Sequence, residues 1–170
     1  MGVLCVHLEA AFGATDPLAI WHPRTLPFDP SSLEQVVFGN GVFVAQGNPS
    51  TVFSSTDGII WFRQLMPSGP SGFSGSLQFF GSRFHLSGAA LASSNGVTWL
   101  LETSPTPGPV AFGNGVYVGI YAGNSDYSIS TNGQNWVAQL PIASLRWLDV
   151  AFGNGRFVAV GESGFHPSTL

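Results

Sequence analysis

Lysine is missing altogether from these 170 residues, and the five basic side chains, Arg24, Arg63, Arg83, Arg146 and Arg156, are scattered along the chain. Charged residues make up only 8% of the sequence, and the formal net charge is −4. Nucleic-acid binding draws its affinity from a clustered basic face that neutralises phosphates, so that class of partner is excluded. Cys5 is the only cysteine. An internal disulfide framework and a cysteine-based metal site both need more than one. No apolar run reaches the roughly 18 residues that a membrane-crossing helix requires, and membrane insertion is not expected. The amino-terminal stretch MGVLCVHLEAAFGATD has some of the apolar character of a secretory leader. It opens without a basic residue, however, and His7 and Glu9 interrupt its apolar segment, so it reads as part of the fold and not as a clear signal peptide. Helical periodicity is missing too, since no stretch of ten residues or so keeps a clean 3.6-residue repeat.

What is abundant is turn chemistry. The chain holds 22 Gly and 12 Pro against an apolar share of 44%, enough for one domain, residues 1–170, with a sizeable core. Comparing the sequence with itself is the informative step. FGNG occurs at 38–41, 112–115 and 152–155, and a worn copy, FGSR, stands at 80–83. Each is followed by an aromatic, strand-like run: VFVAQG, FHLSG, VYVGIY and RFVAVG. A second motif recurs with them as SSTDGIIW from Ser54, ASSNGVTW from Ala92 and ISTNGQNW from Ile129, with ATDPLAIW from Ala14 as a weaker relative. Trp21, Trp61, Trp99 and Trp136 are thus 40, 38 and 37 residues apart (61 − 21, 99 − 61 and 136 − 99). The repeat units run over about 22–61, 62–99 and 100–136, with a composite unit of 137–170 plus 1–21.

Inside a unit the apolar residues alternate and turn signals fall every few residues, which describes short antiparallel strands. The first unit predicts four of them: SLEQVVF, VFVAQG, TVFSS and IIWFRQL. The Asn-Gly and Asp-Gly pairs between them favour type I′ turns, where both central residues take positive φ. Repeated four-stranded units of this length predict an all-β chain folded as a β-propeller of about four blades. Strands from the two ends pair to close the ring, or else the chain forms an open arc of a larger one.

The hairpins also resemble the Asp-box, or bacterial neuraminidase, repeat, whose pattern runs Ser-x-Asp-x-Gly-x-x-Trp with slight length variation. Ser55, Asp57, Gly58 and Trp61 carry the resemblance most fully. Asn95, Gly96 and Trp99, and Asn132, Gly133 and Trp136, carry it with Asn in place of Asp, and Asp16 with Trp21 carries it marginally. The polar side chains are expected to bond their own turn, glycine to supply a positive φ, and tryptophan to pack between blades. The resemblance implies propellers that include sialidases, other glycosidases and many non-catalytic binding and assembly proteins. The three substrate-binding arginines of the sialidases have no counterpart at one repeat position here, and HPRTLP at 22–27 only faintly echoes their early Arg-Ile-Pro signature.

Glycoside hydrolysis needs two carboxyl groups held roughly 5–9 Å apart. The spacing of Glu9, Glu34, Glu102, Asp126, Asp149 and Glu162 supplies no such pair, and His7, His22, His85 and His166 have no metal-ligand spacing. No catalytic residue, metal or cofactor is therefore expected. Function is sought where the repeat is broken by aromatic or charged residues. Arg146 and Trp147 stand where the first unit has Ser32 and Leu33, and the loop 121–127 adds Tyr121, Asp126 and Tyr127. These five are the candidate binding residues, on the face opposite the Asp-box turns, since aromatic residues with arginine make effective contact sites. The expected function is a non-catalytic binding or assembly module on an extracellular, cell-surface or virion structure, with a protein partner or further copies of itself. A carbohydrate-binding lectin or a sialidase-like glycosidase is the alternative.

Overall fold

The structure is a computed structural model, and it describes residues 5–8, 21–24, 26, 32–48, 51–67, 75–102, 106–121, 125–140 and 145–163. Sixteen strands account for nearly all regular structure among them, joined by a single 3₁₀ turn at Ser87–Ala89.

The first complete blade is an antiparallel sheet of β3 (Ser32–Gly39), β4 (Val42–Asn48), β5 (Thr51–Ser55) and β6 (Phe62–Gln64), in chain order. The second comprises β7 (Leu77–Phe80), β8 (Arg83–Leu86), β9 (Leu91–Ser93) and β10 (Leu100–Leu101), and the third β11 (Val110–Gly113), β12 (Val116–Ile120), β13 (Tyr127–Ser130) and β14 (Val137–Gln139). Each fourth strand follows its tryptophan, so β6, β10 and β14 lie just past the repeat boundaries at 61, 99 and 136. The first strands of successive blades adjoin, β3 beside β7 and β11 beside β15 (Leu145–Gly153). This is the successive stacking of propeller blades.

The ends of the chain form two further, two-stranded sheets. β15 pairs with β16 (Arg156–Ser163), and β1 (Cys5–Leu8) pairs with β2 (Trp21–Arg24). These are the expected halves of the composite blade, but among the described residues no ladder joins them.

The local chemistry accounts for the hairpins. Asn40–Gly41, Asn114–Gly115 and Asn154–Gly155 all take positive φ, between 48° and 77°, as the type I′ turn demands. The Ser-x-Asp/Asn-Gly turns differ from the expectation. Gly58, Gly96 and Gly133 have positive φ, but Asp57 is absent from that region, so these are not type I′ turns. The fourth strand also starts later than IIWFRQL suggests, at Phe62, because the N–H groups of Ile59 and Ile60 are given to the Asp57 side chain.

One register differs from the sequence reading. Gly39 pairs with Val42 across the first turn, whereas Phe80 pairs with Arg83 across the second. The second blade's counterpart of FGNG is therefore Phe79–Phe80–Gly81–Ser82, one residue earlier than FGSR. Gly81 and Ser82 still provide the two positive φ angles, 55° and 61°.

The larger core cluster spans two blades: Val44 and Val52 from the first meet Leu77, Phe84, Leu86, Ala89, Leu91 and Trp99 from the second. Trp61 closes a second cluster with Ala45 and Phe53, against which Leu26, Leu33 and Phe43 pack. Trp136 stands edge-on to Phe80 of the preceding blade, ring centroids 5.9 Å apart. Trp99 and Trp136 thus plug blade boundaries.

Candidate functional site

Three hairpins of the Ser-x-Asp/Asn-Gly pattern repeat one bonding scheme. In the first, the Ser55 hydroxyl accepts from Gly58 N–H at 2.9 Å and donates to Asp57 Oδ1 at 3.0 Å, while Asp57 Oδ1 accepts from Ile59 and Ile60 N–H at 2.8 and 2.9 Å. Ser93 and Asn95 do the same for Gly96, Val97 and Thr98. Ser130 and Asn132 do it for Gly133, Gln134 and Asn135. The sequence reading named only the first of these serines, although Ser93 and Ser130 were visible two residues before each Asn. The backbone bonds from Ile60 and Ile59 hold the Asp57 carboxyl below its ordinary range. These side chains are spent on their own turns. Of the weaker fourth motif, Asp16 lies outside the described residues and Trp21 opens β2, paired with Leu8.

The five candidate binding residues are only partly gathered. Tyr121 N–H donates to the Asp126 carbonyl at 3.1 Å, closing the loop between β12 and β13. The Trp147 indole N–H reaches across from β15 to the Ser125 carbonyl at 3.1 Å. Tyr121, Asp126 and Trp147 therefore meet around one piece of backbone. Tyr127 is the first residue of β13 and pairs with Ile120, so strand alternation sets it opposite Ser128, whose hydroxyl lies 3.5 Å from Tyr121 Oη. Arg146 precedes Trp147 on β15 and is turned to the other side by the same alternation. Its guanidinium lies 3.8 Å from Glu162 across the ladder, both groups largely exposed, a pairing of the kind worth about 0–1 kcal/mol.

A surface that the sequence reading did not find lies between the second and third blades. It is a groove of about 410 Å³ lined by Arg83, Leu100, Leu101, Glu102, Gln134, Asn135 and Trp136. Leu100 and Leu101, on the short outer strand β10, are exposed. Beneath it, the buried His85 stacks on Phe80 with ring centroids 4.0 Å apart, and its Nδ1 lies 3.3 Å from Glu102 Oε2. Thr106 donates to the same oxygen. Burial pushes the Glu102 carboxyl up, but the bonds from His85 and Thr106 and the charges of His85 and Arg83 outweigh it, leaving the group below its ordinary value. His85 is thus a fully buried residue of β8. Its partner on the following connection was not legible, because Glu102 and Thr106 carry no repeat signal.

No family model matches the chain, and no curated protein matches it. Among solved structures, one described as "YCF48 bound to D1 peptide" is similar to it, with a TM-score of 0.57 and 21% identity over 86% of this chain and 52% of that one. The chain spans about half the length of that structure. At this identity the likeness speaks to architecture alone, and with the blade topology it shows the chain to be a β-propeller.

Proposed function

We propose that this chain is a non-catalytic, protein-binding propeller module that holds a short segment of a partner in the groove between its second and third blades. The groove carries the reading. Its volume falls in the range of ligand sites, roughly 300–1,000 Å³, and its walls combine two exposed leucines with Gln134 and Asn135, side chains suited to the amides of an extended peptide. Arg83 and Glu102 are its charged members. Hydrolysis of a glycoside requires two carboxyl groups, and this lining offers one, already bonded to His85 and Thr106. The solved propeller of similar fold is described as bound to a peptide, which agrees with a protein partner. Trp136 in the wall favours a glycan as the second reading, since aromatic faces stack on sugars.

Screening the chain against a peptide library and a glycan array separates the two. Peptide binding that is lost in Leu101→Asp and Arg83→Ala, with the melting transition kept, supports the reading. Binding that survives both changes but is lost when Tyr121, Tyr127 and Trp147 are replaced by Ser moves the site to the opposite face. Binding to glycans alone overturns the protein partner.

A further inference from the structure

The blade boundaries repeat a small set of contacts, and the two ends of the arc carry their separate halves. A Cβ placed on Gly39 would lie 2.2 Å from the Phe79 ring, and one on Gly113 2.2 Å from the Phe152 ring. At each of these boundaries a phenylalanine of the following blade therefore lies flat on a glycine of the preceding one. Beside this contact, Asn40 Nδ2 donates to the Ser82 carbonyl at 2.9 Å, and Asn114 Nδ2 donates to the Gly155 carbonyl at 3.3 Å. Two residues before each phenylalanine stands an apolar residue, Leu77 or Val150, exposed by only 4% and 8%.

On the last blade the preceding half of this set stands open. A Cβ on Gly153 meets nothing within 4 Å among the described residues. Asn154 is exposed and takes part in no bond equivalent to those of Asn40 and Asn114 among the described residues. Val158 sits where the first blade has Val44, since it pairs with Ala151 as Val44 pairs with Val37, yet Val158 is 60% exposed and Val44 fully buried. On the first blade the following half stands open. Phe38, the counterpart of Phe79 and Phe152, is 57% exposed, and Val36, the counterpart of Leu77 and Val150, is 60% exposed.

We propose that the trailing face of the last blade, Gly153, Asn154, Val158 and Val160, docks the leading face of the first blade, Val36 and Phe38, of a second copy of this chain. Phe38 of the incoming copy lies on Gly153, and Asn154 donates to its Gly41 carbonyl, continuing an interface already built twice within the chain. The same step brings hairpin β1–β2 of the incoming copy to the open edge of β16, where among the described residues no third strand is paired. The contact is head to tail, so it closes into a ring or propagates according to its rotation.

The test uses the full chain in sedimentation velocity over a range of concentrations. Wild type is expected to assemble reversibly. Gly153→Val fills an opening that touches nothing among the described residues, and Phe38→Ala removes a mostly exposed ring that packs on Phe43. The first should therefore melt as the wild-type monomer does and the second slightly below it, while each weakens association at least about tenfold, the loss of one central anchor. Mixed one to one, the two variants should form a heterodimer, because each retains the half that the other lacks. A wild type that stays monomeric at every concentration overturns the proposal, whether the faces are then covered by self-closure or by another protein. Assembly that persists in Gly153→Val, or variants that fail to complement each other, overturns the assignment of the faces. Groove variants such as Leu101→Asp should assemble normally, which keeps this result separate from the fate of the peptide-binding reading.

Discussion

At the scale of single residues, the Ser-x-Asp/Asn-Gly turns contain their own control experiment. Asn95 and Asn132 accept the same two backbone N–H groups as Asp57, so the geometry does not require charge. Asp57→Asn should fold with the same hairpin, and Asp57→Ala should move denaturant melts to a lower midpoint, because the N–H groups of Ile59 and Ile60 lose their acceptor. The two replacements differ in acid. The Asp57 carboxyl is held below its ordinary value, so its contribution is complete above the ordinary aspartate range and fades as pH falls through the depressed value. Asp57→Asn should lack that component in melts run from neutral pH into acid. The tryptophans divide in a related way. Trp61 Nε1 donates to the Gly58 carbonyl at 3.1 Å, whereas Trp99 Nε1 is buried without a partner among the described residues. Trp61→Ala and Trp99→Ala should each cost about 3–5 kcal/mol through lost packing. Trp61→Phe should cost roughly 1 kcal/mol more than Trp99→Phe, because only the first loses a hydrogen bond. Equal values for the two Phe variants would show that the Gly58 bond contributes nothing net.

At the scale of strands and hairpins, the glycine that ends β3 and β11 sets how closely the following blade approaches. Gly39→Ala and Gly113→Ala drive a methyl into a phenylalanine ring, and overpacking of this kind costs about 1–3 kcal/mol. Melting temperatures of the two variants should fall, and a methyl tolerated at either position would mean that the boundary is looser than its contacts indicate. The hairpins were legible in the sequence because their causes are local: Asn-Gly at a two-residue turn, or Ser and Asn reaching back to their own backbone. The second blade's register was not, because Gly81–Ser82 and the expected Ser82–Arg83 both look like turns. Only the pairing of Phe79 with Phe84 decides between them. Of the candidate site, Trp147 could be singled out as a break in the repeat, but the side of the sheet taken by Arg146 depends on a one-residue alternation that composition does not reveal. The groove was illegible for a different reason. It lies between residues of two blades, and none of its lining departs from the repeat in a way that marks a surface.

At the scale of the whole molecule, the slipped hairpin of the second blade changes how the arc is joined. Phe80 occupies the position that is glycine in the other three blades, so it fills its own boundary, against Tyr117 and Trp136, and Phe112 of the third blade remains exposed. Blades one and two are locked by a ring on a glycine and an Asn bond, and so is the third blade to β15–β16. Between the second and third blades, among the described residues, no first strands adjoin as extensively as β3 with β7 or β11 with β15; Val110 N–H donates to Gln78 Oε1 at 2.7 Å across the boundary, and the groove lies beside it. Crossed by the Phe80 contacts and the Val110–Gln78 bond but not by a ring laid on a first-strand glycine, this boundary should be the first to yield and act as a hinge between two stiffer halves. In hydrogen exchange the amides flanking the hinge should open at lower free energy than those inside either half. Glu102 links the outer strand of the second blade to Thr106 on the way to the third. Its carboxyl lies below the ordinary glutamate value, so the link persists above that range and weakens as pH falls through the lowered one. Acid should loosen the hinge ahead of the halves, and Glu102→Gln should remove that selectivity. Uniform exchange across all blades at every pH would show one rigid body instead. A hinge whose cleft received a partner would convert occupancy into curvature: a peptide wedged there would spread the halves and one drawn inward would close them, so the angle at which the two ends met another copy would be set by what the cleft held.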